Sequence, residues 1–92
     1  MVVTFYATLR ESAGTKTLEV AYVEGMTLRS LLEDLIIRFP GLHKEMTDEY
    51  GNIPGRVLVF INGRDQSFLA DKLDTKLKKD DVVGIFPPIG GG

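Results

Sequence analysis

Three consecutive glycines, Gly90, Gly91 and Gly92, close the chain directly behind Phe86-Pro87-Pro88-Ile89. Glycine has no Cβ and takes dihedrals closed to other residues, so such a run can be drawn through a passage too narrow for side chains. The two prolines fix φ and favour extended geometry, which presents the run rather than folding it back. At about 3.1–3.6 Å per extended residue, the six residues from Pro87 project on the order of 20 Å. That reach is enough to bring the terminal carboxyl into a buried active site of another protein. The expected functional group is therefore the carboxyl of Gly92, with Pro87, Pro88, Gly90 and Gly91 as the part that a partner's channel binds. The bland alternative is a fraying or linker end. Against it, the apolar run Val82-Val83-Gly84-Ile85-Phe86 feeds the prolines with no polar linker between them, which roots a flexible tail, 87–92, in a packed strand.

The rest of the chain carries little chemistry of its own. It has no cysteine, which removes disulfides, thiolate nucleophiles, iron–sulfur ligation and cysteine zinc sites. His43 is the single histidine, so no histidine pair can build a metal centre, and no serine has a triad around it. In the polar stretch Leu42-His43-Lys44-Glu45, His43 is expected to be a solvated surface residue. A net charge of −2 gives no support for nucleic-acid binding. No apolar run approaches a membrane span, and Arg10 interrupts the N-terminal apolar segment early, which argues against a signal peptide or anchor. If the chain takes part in catalysis, another protein supplies the machinery.

What must hold such a tail is a single domain, since 92 residues allow one modest core. Alternating β-branched and aromatic residues predict a first strand over Val2–Ala7, with Val3, Phe5 and Ala7 on one face and Val2, Thr4 and Tyr6 on the other. Leu9–Lys16 then has the length and composition of a hairpin connection, and Thr17–Val23 of a second strand closed by a turn at Glu24-Gly25. Thr27 is positioned to cap a helix in which Leu28, Leu31, Leu32, Leu35, Ile36 and Phe39 follow the i, i+3, i+4, i+7 rule. That stripe is core packing, and Pro40-Gly41 ends the helix. Leu42–Arg56 is a long polar connection with room for one short helical turn. Val57–Asn62 is a dense apolar strand, Asn62-Gly63 a tight turn, and Arg64–Phe68 a brief edge strand. Leu69, Leu73 and Leu77 are small apolar anchors in a solvated loop, and Lys78-Lys79-Asp80-Asp81 turns into the last strand.

Strands flanking one main helix make a two-layer α+β sandwich. With the first and last strands both strongly apolar, they pair side by side in the centre of a mixed sheet, the β-grasp arrangement. Period-two alternation then puts Tyr6, Phe60 and Phe86 on the face opposite Phe5, Ile61 and Ile85. Tyr6, Phe60 and Phe86 would form a partner-docking cluster near the tail, unless residues 42–56 cover them. Arg10 is either an interface ion-pair partner or a solvated turn residue.

The chain resembles the ubiquitin-like sulfur carriers, specifically the small subunit of molybdopterin synthase and the small archaeal ubiquitin-like modifiers. The likeness rests on Phe5-Tyr6-Ala7-Thr8-Leu9-Arg10-Glu11-Ser12-Ala13-Gly14, on Phe39-Pro40-Gly41-Leu42, on Ile61-Asn62-Gly63, and on the closing segment from Leu73 to Gly92. The Phe-Pro-Pro-aliphatic-x-Gly-Gly ending is the specific part. Asp80 stands where relatives usually carry glycine, which bears only on turn geometry, and Gly90 fills a variable position. The thiamin sulfur carriers share the glycine pair but are similar over a shorter chain and lack the Phe-Pro-Pro run.

The resemblance implies a single β-grasp domain over 1–92 that is not an enzyme but a protein co-substrate and non-catalytic subunit. It implies that a ubiquitin-activating-type adenylating enzyme, using ATP-Mg, adenylates Gly92, and that a thiocarboxylate then forms and donates sulfur to a pterin on the molybdopterin synthase large subunit. No cofactor or metal would be bound by this chain itself. A second reading is a modifier that forms isopeptide bonds from Gly92 to lysines of target proteins, or a chain that does both. A third is a non-covalent β-grasp module with an incidental tail. The implied setting is cytoplasmic, with neither nucleic acid nor membrane among the partners.

Overall fold

The computed structural model describes residues 1–88. Its strands are β1 (Val2–Phe5), β2 (Thr17–Glu19), β3 (Leu58–Ile61), β4 (Arg64–Asp65) and β5 (Val82–Phe86), and its helices α1 (Leu9–Ala13), α2 (Leu28–Arg38) and α3 (Pro40–Met46). The strands form one mixed sheet in the order β2-β1-β5-β3-β4. β5 lies parallel to β1, Val3 opposite Val83 and Phe5 opposite Ile85, and antiparallel to β3, Val59 opposite Ile85 and Ile61 opposite Val83. The first and last strands are thus central neighbours, as their apolar composition predicts, and the architecture is the β-grasp.

The inner face of the sheet presents Val3, Phe5, Val59, Ile61, Val83 and Ile85, all buried, to α2 residues Leu28, Leu31, Leu32, Leu35 and Ile36, also buried. Fully burying side chains of this kind is worth about 1.5–3 kcal/mol each, which fixes both helix orientation and strand register, because a one-residue slip would turn each strand's apolar set outward. α2 begins as expected at Thr27. The Thr27 Oγ1 accepts from Ser30 N at 3.1 Å while Ser30 Oγ accepts from Thr27 N at 2.9 Å, a reciprocal capping box.

Several expectations need correction. The hairpin connection over Leu9–Lys16 is instead the short helix α1, which buries Leu9 and Ala13 and is stopped by Gly14 at φ 75°. Ala7 does not continue the inner face of β1: it is exposed at φ 52°, where the chain turns from strand into helix. Pro40-Gly41 does end α2, but Pro40 also opens α3, whose Leu42 and Met46 are buried. Proline suits the first helical position because its missing N–H would be unpaired there anyway. The segment 42–56 is consequently less open than its polarity suggests, for Asp48 Oδ1 also accepts from Tyr50 N and Asn52 N, both at 2.9 Å. β2 stops at Glu19 and β4 at Asp65, with Gln66–Phe68 taking a 3-10 turn. Leu77 is a buried anchor, while Leu69 and Leu73 are partly buried against the core. Asp80 turns into β5 without a positive φ. Among the described residues, no helix is long and apolar enough to cross a membrane.

Candidate functional site

The outer face of the sheet carries the expected aromatic residues, and the structure brings them into contact. The rings of Tyr6 and Phe86 stack with centroids 4.2 Å apart and planes 4° from parallel. Phe60 meets Phe86 edge-on at 5.6 Å and 72°. All three are half-buried. They line an open depression of about 250 Å³ together with Thr4, Val82 and Gly84. No residue of 42–56 lines it, so the alternative that this segment covers the cluster does not hold.

Each ring is placed by a local feature. Phe60 and Phe86 alternate with the buried Val59, Ile61 and Ile85, so the pleat turns them outward. Tyr6 follows the last β1 residue, and its N–H still donates to Ile85 O at 3.1 Å, which keeps it over the sheet. Beneath it lies Gly84. A Cβ at Gly84 would stand 3.2 Å from Tyr6 Cε2, so the bare glycine is what lets the phenol lie flat and reach Phe86. The sequence hides this role, because Gly84 sits within the apolar run Val82–Phe86 as one more strand residue. A glycine inside a strand is the available signal for close approach.

For Arg10 the sequence allows either an interface ion-pair partner or a solvated turn residue. It sits on α1, its Nε donates to Phe5 O at 3.0 Å, and its guanidinium carbon lies 5.8 Å from the centre of the Tyr6 ring. The cation is held beside the phenol and remains exposed, a cationic edge to an aromatic surface. The Asn62-Gly63 turn also does more than reverse the chain. Asn62, at φ 52°, donates from Nδ2 to Asp81 Oδ1 at 2.8 Å and accepts at Oδ1 from Val82 N at 2.9 Å. It clasps the start of β5 to the end of β3.

Pro87 and Pro88 follow Phe86 directly and are half-buried, so the tail starts at the edge of the aromatic cluster. Its remaining predicted members, Gly90, Gly91 and Gly92, lie outside the described residues. His43 is exposed on α3, as expected for a surface residue. Among the described residues, no three His, Cys, Asp or Glu side chains gather into a metal site. Chemically, the site is an open, apolar, aromatic face with the root of the tail at its margin.

The model of the ThiS family matches residues 3–92 of the chain. Small archaeal modifier protein 3 of Haloferax volcanii is 33% identical over 88 residues, which span 96% of this chain and 94% of that protein. Among solved structures, small archaeal modifier protein 1 of Methanosarcina acetivorans superimposes with a TM-score of 0.80 at 33% identity, over 99% of this chain and 94% of the other. A provisionally named molybdopterin converting factor, subunit 1, from Pyrococcus furiosus does so with a TM-score of 0.73 at 32% identity, over 96% and 95%.

Proposed function

Since this chain belongs to the ThiS family, a family of ubiquitin-like carriers and modifiers, we propose that it acts through the carboxyl group of Gly92 as a sulfur carrier for pterin sulfuration. The observation that carries the reading is the open aromatic face of Tyr6, Phe60 and Phe86 with Pro87 and Pro88 leaving from its edge. A protein that grips this face has the tail delivered to it.

The chemistry follows from the carboxylate. An α-carboxylate is ionised at neutral pH and resists attack because its oxygen is a poor leaving group. Attack of the carboxylate oxygen on the α-phosphorus of ATP, with pyrophosphate leaving, makes an acyl-adenylate. Sulfur at the sulfide oxidation level then attacks the acyl carbon and AMP leaves with the bonding electron pair, giving a thiocarboxylate. Two easier steps replace one hard one. The nucleotide and its magnesium belong to the adenylating partner. On the synthase large subunit the thiocarboxylate sulfur attacks a carbon of a pterin precursor and displaces an oxygen leaving group. Water then attacks the acyl carbon, the acyl–sulfur bond breaks with its electron pair kept by the pterin sulfur, and the Gly92 carboxylate is restored. The second reading shares the adenylate but ends with a lysine amine attacking the acyl carbon, losing its proton to solvent as AMP leaves. The similarity to small archaeal modifier protein 3 favours keeping it.

Intact-mass analysis of the protein from its native cells tests the proposal. Exchange of one oxygen for sulfur at Gly92 is the expected result. Branched peptides joining Gly92 to lysine establish the modifier reading, and the absence of both species in cells making the pterin cofactor overturns the proposal.

A further inference from the structure

Thr17–Val23 has the composition of a strand, yet β2 stops at Glu19. Among the described residues, the last bond tying this segment to β1 runs from Val20 N to Met1 O at 2.9 Å. Val20-Ala21-Tyr22-Val23 carries no charge and no proline, the devices that commonly blunt a sheet edge. β2 is such an edge, with β1 as its one neighbour. Lys16, Leu18 and Val20 spend their backbone groups on β1, Lys16 O accepting from Phe5 N at 2.8 Å and Leu18 lying opposite Val3. The N–H groups of Thr17 and Glu19 and the carbonyl of Glu19 therefore point away from the sheet. Thr17 O accepts from Thr15 Oγ1 at 2.8 Å.

On the helix side of this edge, a depression of about 510 Å³ separates residues 20–26 from Ser30, Leu31 and Asp34 of α2. Val20, Val23, Met26 and Leu31 are its apolar lining, and Val23 is 64% exposed. Val20 faces that side because Leu18, two residues before it, shares the inner face with Val3. A strand laid along the edge would bond Glu19 through its backbone and drop alternate side chains into the depression. Glu24 and Asp34 stand at the rim, and among the described residues neither lysine nor arginine lines it. Asp34 Oδ2 lies 3.6 Å from Arg38 Nη1 in an exposed pair, too weak a contact to saturate the carboxylate. We infer that this edge and groove bind an extended segment of a partner protein by strand addition, its alternate side chains apolar and its flanks lysine or arginine. The groove shares no lining residue with the aromatic depression, and β1 separates β2 from β5, a span of about 10 Å. A protein held here leaves the aromatic face and the root of the tail open, so the inference does not depend on the chemistry at Gly92.

The probe is the end-blocked peptide Lys-Val-Ile-Val-Lys, titrated into the full chain at low ionic strength and followed by amide NMR shifts. Shifts are expected on residues 17–26 and 30–34 and not on Phe60, Gly84 or Phe86. The same peptide with glutamate at both ends should bind at least about tenfold more weakly. The double variant Glu24→Lys, Asp34→Lys, confined to exposed side chains, should reverse that order of preference. Glu19→Pro removes one outward N–H, a change that an edge strand accepts, and should weaken the lysine-ended peptide at least about tenfold. If Glu19→Pro does not fold, the double variant still decides. No shift at about 1 mM peptide, equal binding of the two peptides, or shifts confined to the aromatic face overturns the inference. Shifts of residues 17–23 that grow with protein concentration alone would put a second copy on the edge and overturn the partner assignment.

Discussion

A methyl group at Gly84 would stand 3.2 Å from Tyr6 Cε2, close enough that the ring must move by a few tenths of an ångström. Tyr6 is a half-exposed side chain and can move, so Gly84→Ala is expected to change stability by less than about 1 kcal/mol, the crowding being offset by a less flexible unfolded chain. The stack on Phe86 is what suffers. Smaller ring-current shifts in the NMR spectrum, with weaker partner binding at nearly constant melting temperature, are the outcome to look for. Asn62 gives the opposite balance. Asn62→Ala leaves Val82 N and Asp81 without the side chain that joins them and puts a Cβ residue at φ 52°. The expected loss is about 2–3 kcal/mol, and Asn62→Gly should be milder by about 1 kcal/mol because glycine tolerates that dihedral. Chemical denaturation of the pair measures both figures, and equal losses would show that the backbone angle is unimportant. The contrast also shows how far the site was legible. Alternation alone located Tyr6, Phe60 and Phe86, because a pleat leaves no choice of face. The supports, Gly84 under a ring and Asn62 onto Asp81, join residues distant in sequence, and no local pattern records such contacts.

Among the elements, α2 was legible from its leucine stripe and its cap, whereas α1 and α3 were not. α1 has five residues, too few for a helical period to show, and its C-terminal Gly14 looks the same as a hairpin glycine. α3 was hidden because Pro40 serves two helices at once, ending one and starting the next, and the i, i+4 pair Leu42 and Met46 was the remaining clue. Their packing makes a sharp demand at Gly41, where an added Cβ would lie 3.0 Å from Ser12 O and 3.2 Å from Ser12 Cα. Backbone atoms cannot step aside as the Tyr6 ring can. Gly41→Ala should therefore push α3 off α1 at a cost of about 1–3 kcal/mol, lowering the melting temperature by about 4–8 °C per kcal/mol, while Pro40→Ala costs little. A thermal melt of Gly41→Ala that matches the unaltered chain would mean the two helices separate freely. Between α2 and the 72–74 turn, Arg29 Nε lies 2.9 Å from Asp74 Oδ1. That hydrogen bond and the charge of Asp74 raise the Arg29 pKa above its ordinary value. With its folded-state value raised, the guanidinium is fully charged throughout the pH range below the ordinary arginine value, and the stability that the raised value represents is lost only as pH climbs through it. Stability near neutrality should thus show no pH dependence from this contact.

For the molecule as a whole, the central strand does two jobs through its two faces and its end. β5 is the middle strand, bonded to β1 on one side and β3 on the other, so Phe86 and the prolines after it leave from the centre of the sheet. The consequence is kinetic. On the proposed function, a partner's contacts on the aromatic face are made equally before and during chemistry at the tail, so they should contribute uniform binding, which appears in KM; the carboxyl of Gly92 would be the reacting group, and blocking its access should appear in kcat. Phe60→Arg keeps the tail intact but sets a charge among Tyr6, Gly84 and Phe86, a change of the kind that costs about 2 kcal/mol or more at an interface centre. In adenylation assays with the activating partner, it should raise KM by about thirtyfold or more with kcat held, whereas Gly92→Phe should abolish turnover while the chain still competes for the partner. Because the two changes strip different parts of one encounter, the Gly92→Phe chain should inhibit charging of the unaltered protein, and adding Phe60→Arg to it should abolish that inhibition. A Gly92→Phe chain that fails to compete would mean that the partner grips the tail alone and that the aromatic face has no part in docking.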